Sequence, residues 1–199
     1  PEGPATPEGP ATPEGPATPE GPATPEPVHA GLRAQAAVGL SVLPAATATV
    51  SVTGLLWGQH WRVELGATYW TPVESRPDGM AGGRIEQWTV DARGCGLLRP
   101  GPLELPLCAG LDVGAVHGRG RGVQDPRRVA SLRLALAAGP ALVWRPARLR
   151  QRLGLWVGAD VLVALVRARF RATPAAPDLV YYTPPVGAEA GGGIEVRFR

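Results

Sequence analysis

The sequence predicts an all-β protein: an eight-stranded antiparallel barrel carried behind a disordered, proline-rich N-terminal repeat. Three observations predict it. From His29 onward apolar and polar residues alternate with a period of two, in eight stretches of about ten residues or more. The connections between the stretches alternate between short and long, with one exception. The first 27 residues hold four tandem copies of PEGPAT and nothing that could enter a hydrophobic core.

The arm comes first. Proline at every third position favours the extended polyproline II helix, and Gly and Glu keep it solvated. Glycine recurs only at every sixth residue, whereas a collagen triple helix needs it at every third, so that reading is excluded. Residues 1–27 are therefore read as a semi-rigid linker, spanning about 80 Å at roughly 3.1 Å per residue. Residues 28–199 are read as one barrel domain.

The eight stretches follow in order. The first places Leu32, Ala34, Ala36, Val38, Leu40 and Val42 on one face and Arg33, Gln35, Gly39 and Ser41 on the other. The second, Thr47 to Trp57, sets Thr49, Ser51 and Thr53 against Ala48, Val50 and Val52. The third is the clearest, with Trp61, Val63, Leu65, Ala67 and Tyr69 interleaved with Arg62, Glu64, Gly66 and Thr68. The fourth opposes Trp88, Val90 and Ala92 to Gln87, Asp91 and Arg93; the fifth opposes Leu103 through Val113 to Glu104, Cys108 and Asp112. The sixth sets Leu132, Leu134, Leu136 and Trp144 against Arg133, Ala135, Gly139 and Arg145. The seventh sets Leu153, Leu155, Val157 and Val161 against Arg152, Gly154, Gly158 and Asp160, and the last sets Ala188, Ala190, Ile194, Val196 and Phe198 against Glu189, Gly191, Glu195 and Arg197.

About ten residues is the length a tilted strand needs to cross a bilayer, and an even strand number returns the chain to its starting side. Short connections are expected at Gly58–His60, Arg99–Pro102 and Arg145–Arg148, long ones at Thr71–Gly83, Val116–Arg128 and Ala172–Pro185; the exception is the short one at Leu43–Ala46. Short turns at one end and long loops at the other are the habit of bacterial outer-membrane barrels, whose turns face the periplasm.

Alternation alone does not say which face points outward. Two features decide it. Glycines crowd the polar face, which suits a narrow packed lumen and would weaken a solvated strand surface. Aromatics sit near the stretch ends on the apolar face: Trp61, Trp144 and Phe198 toward the short turns, Tyr69 and Trp88 toward the long loops, as two interfacial girdles. The inward charges are then Arg33, Arg62, Arg93, Arg133, Arg152 and Arg197 with Glu64, Asp91, Glu104, Asp112, Asp160, Glu189 and Glu195. Six cations against seven anions predict a paired network. An eight-stranded bore is just wide enough for side chains to fill, so a closed lumen is expected.

On this pattern the chain resembles the small eight-stranded outer-membrane barrels of the OmpA and OmpX type over about residues 29–199. The most specific part is the ending GGGIEVRFR, in which Ile194, Val196 and Phe198 match that family's alternating last strand; Arg199 after the aromatic is a departure. The resemblance implies an eight-stranded antiparallel transmembrane β-barrel, a bacterial outer-membrane location with the N-terminal arm in the periplasm, and recognition by the barrel-assembly machinery.

Cys95 and Cys108 fall on the polar face and flank the Arg99–Pro102 turn, which places them opposite one another. A structural disulfide is expected, with two free thiols as the alternative. The histidines His29, His60 and His117 have no serine beside them at strand spacing, so no catalytic group is expected and no cofactor or metal. Outside the arm, 12 acidic residues face 20 arginines and no lysine, and Arg119, Arg121, Arg127 and Arg128 crowd one long loop. Arginine pairs with phosphate in two-pronged hydrogen bonds, so lipopolysaccharide is the expected contact together with membrane lipid. Nucleic acid is not expected, because no aromatic platform interleaves these arginines. The reading is a monomeric barrel with a structural or surface-interaction role, its arm reaching toward peptidoglycan or a periplasmic protein. A soluble calycin-like binder of an apolar ligand and an envelope lipid-modifying enzyme are the competing classes.

Overall fold

The computed structural model describes residues 27–75, 82–121, 128–146, 152–171 and 179–198; the PEGPAT repeats and Arg127 lie outside them. The strands are β1 (His29–Leu40), β2 (Thr47–Trp57), β3 (Trp61–Ser75), β4 (Gly82–Leu98), β5 (Leu103–Arg121), β6 (Arg128–Trp144), β7 (Leu153–Val166), β8 (Arg169–Arg171), β9 (Leu179–Tyr182) and β10 (Val186–Phe198). Strands β1 to β7 and β10 form a closed antiparallel barrel, sealed where β10 pairs with β1. The short strands β8 and β9 make a separate hairpin between β7 and β10.

Period-two alternation puts apolar residues outside and charged residues inside. Leu65 is 61 % exposed and Val90 59 %, while Arg62 and Glu64 are 1 % and 2 % exposed. A soluble barrel has the opposite polarity, because it buries its apolar face away from water. Pairing in a closed barrel satisfies the backbone amides of the wall without water, which is what hydrocarbon demands.

Three strand boundaries differ from expectation. The Thr71–Gly83 and Val116–Arg128 connections are in part strand: β3 runs to Ser75 and β4 begins at Gly82, and β5 runs to Arg121 and β6 begins at Arg128. Beyond Tyr69 and Trp88 most outward residues are polar, among them Arg84, Glu86, His117, Arg119 and Arg128, so the hydrophobic pattern fades although the backbone ladder continues. The Ala172–Pro185 connection likewise contains β9. A bulge between Trp70 and Val73 lets both face inward.

Val42, expected on the outward face, is a further correction. β1 ends at Leu40, and Ser41 takes a φ of 55°, in the left-handed region that non-glycine residues seldom adopt. The chain thereby folds back over the barrel mouth, and Val42 and Leu43 are buried there, each 2 % exposed.

At the opposite end the turns are tight. Gly101 adopts a φ of 66°, open to glycine at no steric cost. Arg99 donates to the carbonyls of Gln59 (2.9 Å) and Gly58 (3.0 Å), tying two neighbouring turns together.

Candidate functional site

The lumen at the short-turn end is filled by one continuous chain of ion pairs. Arg33 donates to both oxygens of Glu64, at 3.0 and 2.6 Å. Arg62 joins Glu64 (2.6 Å) to Glu195 (2.6 Å). Arg145 then links Glu195 to Glu104, which also accepts from Arg197 at 2.5 Å. These groups come from β1, β3, β5, β10 and the end of β6, so the network crosses the bore. Each charge that lost its water has an opposite charge in hydrogen-bond range, the condition under which burial is tolerated.

Higher up, Arg93 bridges Asp91 (3.3 Å) and Asp160 (2.5 Å), and Arg133 donates to Asp112 (3.0 Å). Glu189 accepts from the Thr49 hydroxyl at 2.6 Å. Gln87, its amide turned to suit its donors, accepts from Arg133 (2.9 Å) and from the Trp70 indole (3.3 Å). An apolar layer closes the long-loop end, built from Val42, Leu43, Trp70, Ile85, Val116 and Leu162 with smaller neighbours.

Three tryptophans point inward, and each carries a lumen arginine over its ring. Arg197 stands 4.5 Å from the ring of Trp57, Arg33 4.4 Å from Trp156 and Arg133 5.8 Å from Trp70. Each ring also occupies space that a glycine leaves open. A Cβ on Gly31 would come within 3.0 Å of Trp57, one on Gly39 within 2.2 Å of Trp70, and one on Gly158 within 2.5 Å of Trp156.

Of the charged residues expected in the lumen, Arg152 is not there. It lies exposed just before β7: its carbonyl still accepts from the Arg197 amide at 2.8 Å, but at the rim of the barrel its side chain reaches water. Arg145, 4 % exposed, fills that role from the end of β6, so the balance of six cations and seven anions is kept among the described residues. Arg145 shares strand parity with buried Val143, which was a legible signal. The inward tryptophans were legible too: Trp57 shares parity with Thr53, and Trp156 with Gly154 and Gly158.

Cys95 and Cys108 are directly opposite in the β4–β5 register and form a disulfide inside the bore. Glu64 lies within 4.8 Å of both sulfurs. With the sulfurs bonded to each other and Glu64 held by Arg33 and Arg62, this trio offers no thiolate to a metal.

On the outer wall, Trp61, Trp88, Trp144 and Phe198 are exposed, and Tyr69 is half-buried against Trp88, the ring centres 4.4 Å apart. Four residues along β4 from Trp88, a row of charged side chains crosses four strands. The register aligns Glu74, Arg84, Arg119 and Arg128, all exposed. Adjacent strands lie about 4.8 Å apart, so three like charges stand side by side with Glu74 at one end. Arg121 ends β5. In the β7–β10 connection, Arg167 and Arg169 stack on Tyr182 at 4.6 and 5.1 Å. His29 and His60 are exposed at the short-turn end; His117 faces outward opposite Glu86 and Ala130, with no serine in that rung.

No protein-family model matches the chain. No curated protein matches its sequence. Solved structures do match in shape. A major outer membrane protein from Thermus thermophilus superposes with a TM-score of 0.55 at 14 % identity, over 85 % of this chain and 99 % of that one. Neisserial surface protein A gives 0.51 at 11 % identity, over 86 % and 97 %. Ail, the attachment invasion locus protein of Yersinia pestis, in complex with the heparin analogue sucrose octasulfate, gives 0.50 at 10 % identity, over 86 % and 97 %. The chain therefore has the eight-stranded antiparallel barrel fold of small outer-membrane proteins.

Proposed function

We propose that this chain is a monomeric barrel of a bacterial outer membrane, with a structural or surface-interaction role and no catalysis. The observation that carries the proposal is the plugged lumen. A channel needs a continuous water path, whereas this bore is crossed by the Arg33-to-Arg197 ion-pair chain and capped by the Val42 and Leu43 layer. What remains for interaction is the outside.

There the Arg84–Arg119–Arg128 row stands beyond the Tyr69–Trp88 girdle, at the depth of lipid headgroups. Three adjacent guanidiniums repel one another unless an anion lies across them, and phosphate accepts from arginine in two-pronged fashion. Lipopolysaccharide phosphate is the partner this row suits. Ail, on the same fold, is solved in complex with a sulfated ligand, which supports an anion-binding reading. β1 starts and β10 ends on the short-turn side, so the chain enters the barrel at that end, which supports a periplasmic arm reaching toward peptidoglycan or a periplasmic protein. The closing β1–β10 seam and Phe198 at the end of β10 suit handling by the barrel-assembly machinery.

Two measurements test this. Reconstituted in planar bilayers, the chain should give no steady single-channel current; sustained conductance contradicts the closed lumen. Replacing Arg84, Arg119 and Arg128 together by Gln should lower affinity for lipopolysaccharide vesicles at least tenfold at low salt while the cold-gel mobility of the folded barrel is kept. Unchanged affinity rejects the row as the contact.

A further inference from the structure

The Cys95–Cys108 bond poses a problem of order. Both cysteines face into the bore and are 6 % and 7 % exposed. Toward the short-turn end the next inward rung is Leu97 opposite Pro106, both buried. Toward the long-loop end the next is Arg93 opposite Gly110, with Arg93 tied to Asp91 and Asp160. Glu64, pinned between Arg33 and Arg62, stands beside the sulfurs. The bond thus lies between two closed layers of side chains.

Thiol–disulfide exchange goes through a mixed disulfide, so the attacking and attacked sulfurs must meet. An oxidoreductase is a folded protein, far wider than an eight-stranded bore that side chains already fill. The pairing itself needs little of the barrel. The cysteines are separated by 13 residues, and the Arg99–Pro102 turn sets them opposite each other once the β4–β5 hairpin exists.

We infer that the bond is installed on the open chain, before the barrel closes, by a protein disulfide donor, and that closure then locks it in. This rests on the outer-membrane reading only for the compartment, an oxidising periplasm. One chain thiolate attacks the donor's disulfide, forming a mixed disulfide and releasing one donor thiolate. The second chain thiolate attacks the chain sulfur of that mixed disulfide, forming Cys95–Cys108 and releasing the other donor thiolate. The donor gains two electrons and takes up the two protons that the chain thiols lost. The assembled barrel keeps whichever redox state it closed with.

The test uses the full chain in detergent, with a maleimide–polyethylene glycol label reporting free thiols. The folded, oxidised barrel should resist dithiothreitol at least a hundredfold longer than the same chain unfolded by heat in dodecyl sulfate. In the reverse direction, reduced unfolded chain mixed with an oxidised thioredoxin-fold protein should pair its cysteines within minutes, and reduced chain already folded should not. Oxidation of the folded, reduced barrel within threefold of the unfolded rate overturns the inference, as does equal sensitivity to dithiothreitol. If reduced chain does not fold, the dithiothreitol comparison alone decides. Cold-gel mobility is scored on the same samples: a normal shift with a failed thiol result sinks this inference only, whereas no shift and full aqueous solubility reject the membrane reading.

Discussion

Individual side chains in the bore are held by charge balance and by volume. Glu195 is fully buried and serves two arginines, Arg62 and Arg145. Glu195→Gln should leave a buried cation uncompensated and cost about 3–5 kcal/mol, read as a lowered unfolding midpoint in urea with micelles or vesicles present. A loss below about 1 kcal/mol would mean that water reaches the network. Volume is tested at Gly39, where an added Cβ collides with the Trp70 ring. Gly39→Leu should destabilise the barrel by about 1–3 kcal/mol or more, with a shift in Trp70 fluorescence; neutral behaviour would contradict the packed outer layer. Much at this scale was legible. Strand parity assigns Arg33, Glu64 and Glu195 to the interior, but it gives no contact across the bore, because partners such as Arg62 and Glu195 lie 133 residues apart. Parity also fails at the rim, where Arg152 keeps its backbone hydrogen bond to Arg197 while its side chain lies in water.

At the scale of the strand, hydrophobic alternation marks where the outer wall is apolar and the backbone ladder marks where the strand pairs. The two limits differ. β5 is 19 residues long, and its segment beyond Ala115 carries His117 and Arg119 outward, so the expected loop at Val116 is strand. Sequence pattern finds the apolar-walled part of such a strand and misses the extension. The β1–β2 connection shows the converse. Its shortness is plain, but the inward fold of Val42 and Leu43 depends on the Ser41 conformation and on an apolar layer contributed by β3, β4, β5, β6 and β7. Replacing Val42 and Leu43 together by Ser should loosen the cap and raise lumen access to a small maleimide at a cysteine placed at Leu162, by more than tenfold. Unchanged labelling would show that the cap does not seal the mouth.

Across the whole molecule, the polarity of the wall organises the rest. The six tryptophans divide between the two faces: Trp61, Trp88 and Trp144 outward, Trp57, Trp70 and Trp156 inward. Composition and periodicity gave the strand number and closure; the division of tryptophans follows from parity once the outward face is known. Quenching by brominated lipid measures that division directly, because bromine in acyl chains quenches only indoles that touch hydrocarbon. In vesicles of brominated lipid the wild-type chain should lose a large part of its tryptophan emission. The variant with Trp61, Trp88 and Trp144 replaced by Phe, which keeps only the inward indoles, should lose almost none. Equal fractional quenching of the two proteins would contradict an apolar wall facing lipid around a sealed, charged interior.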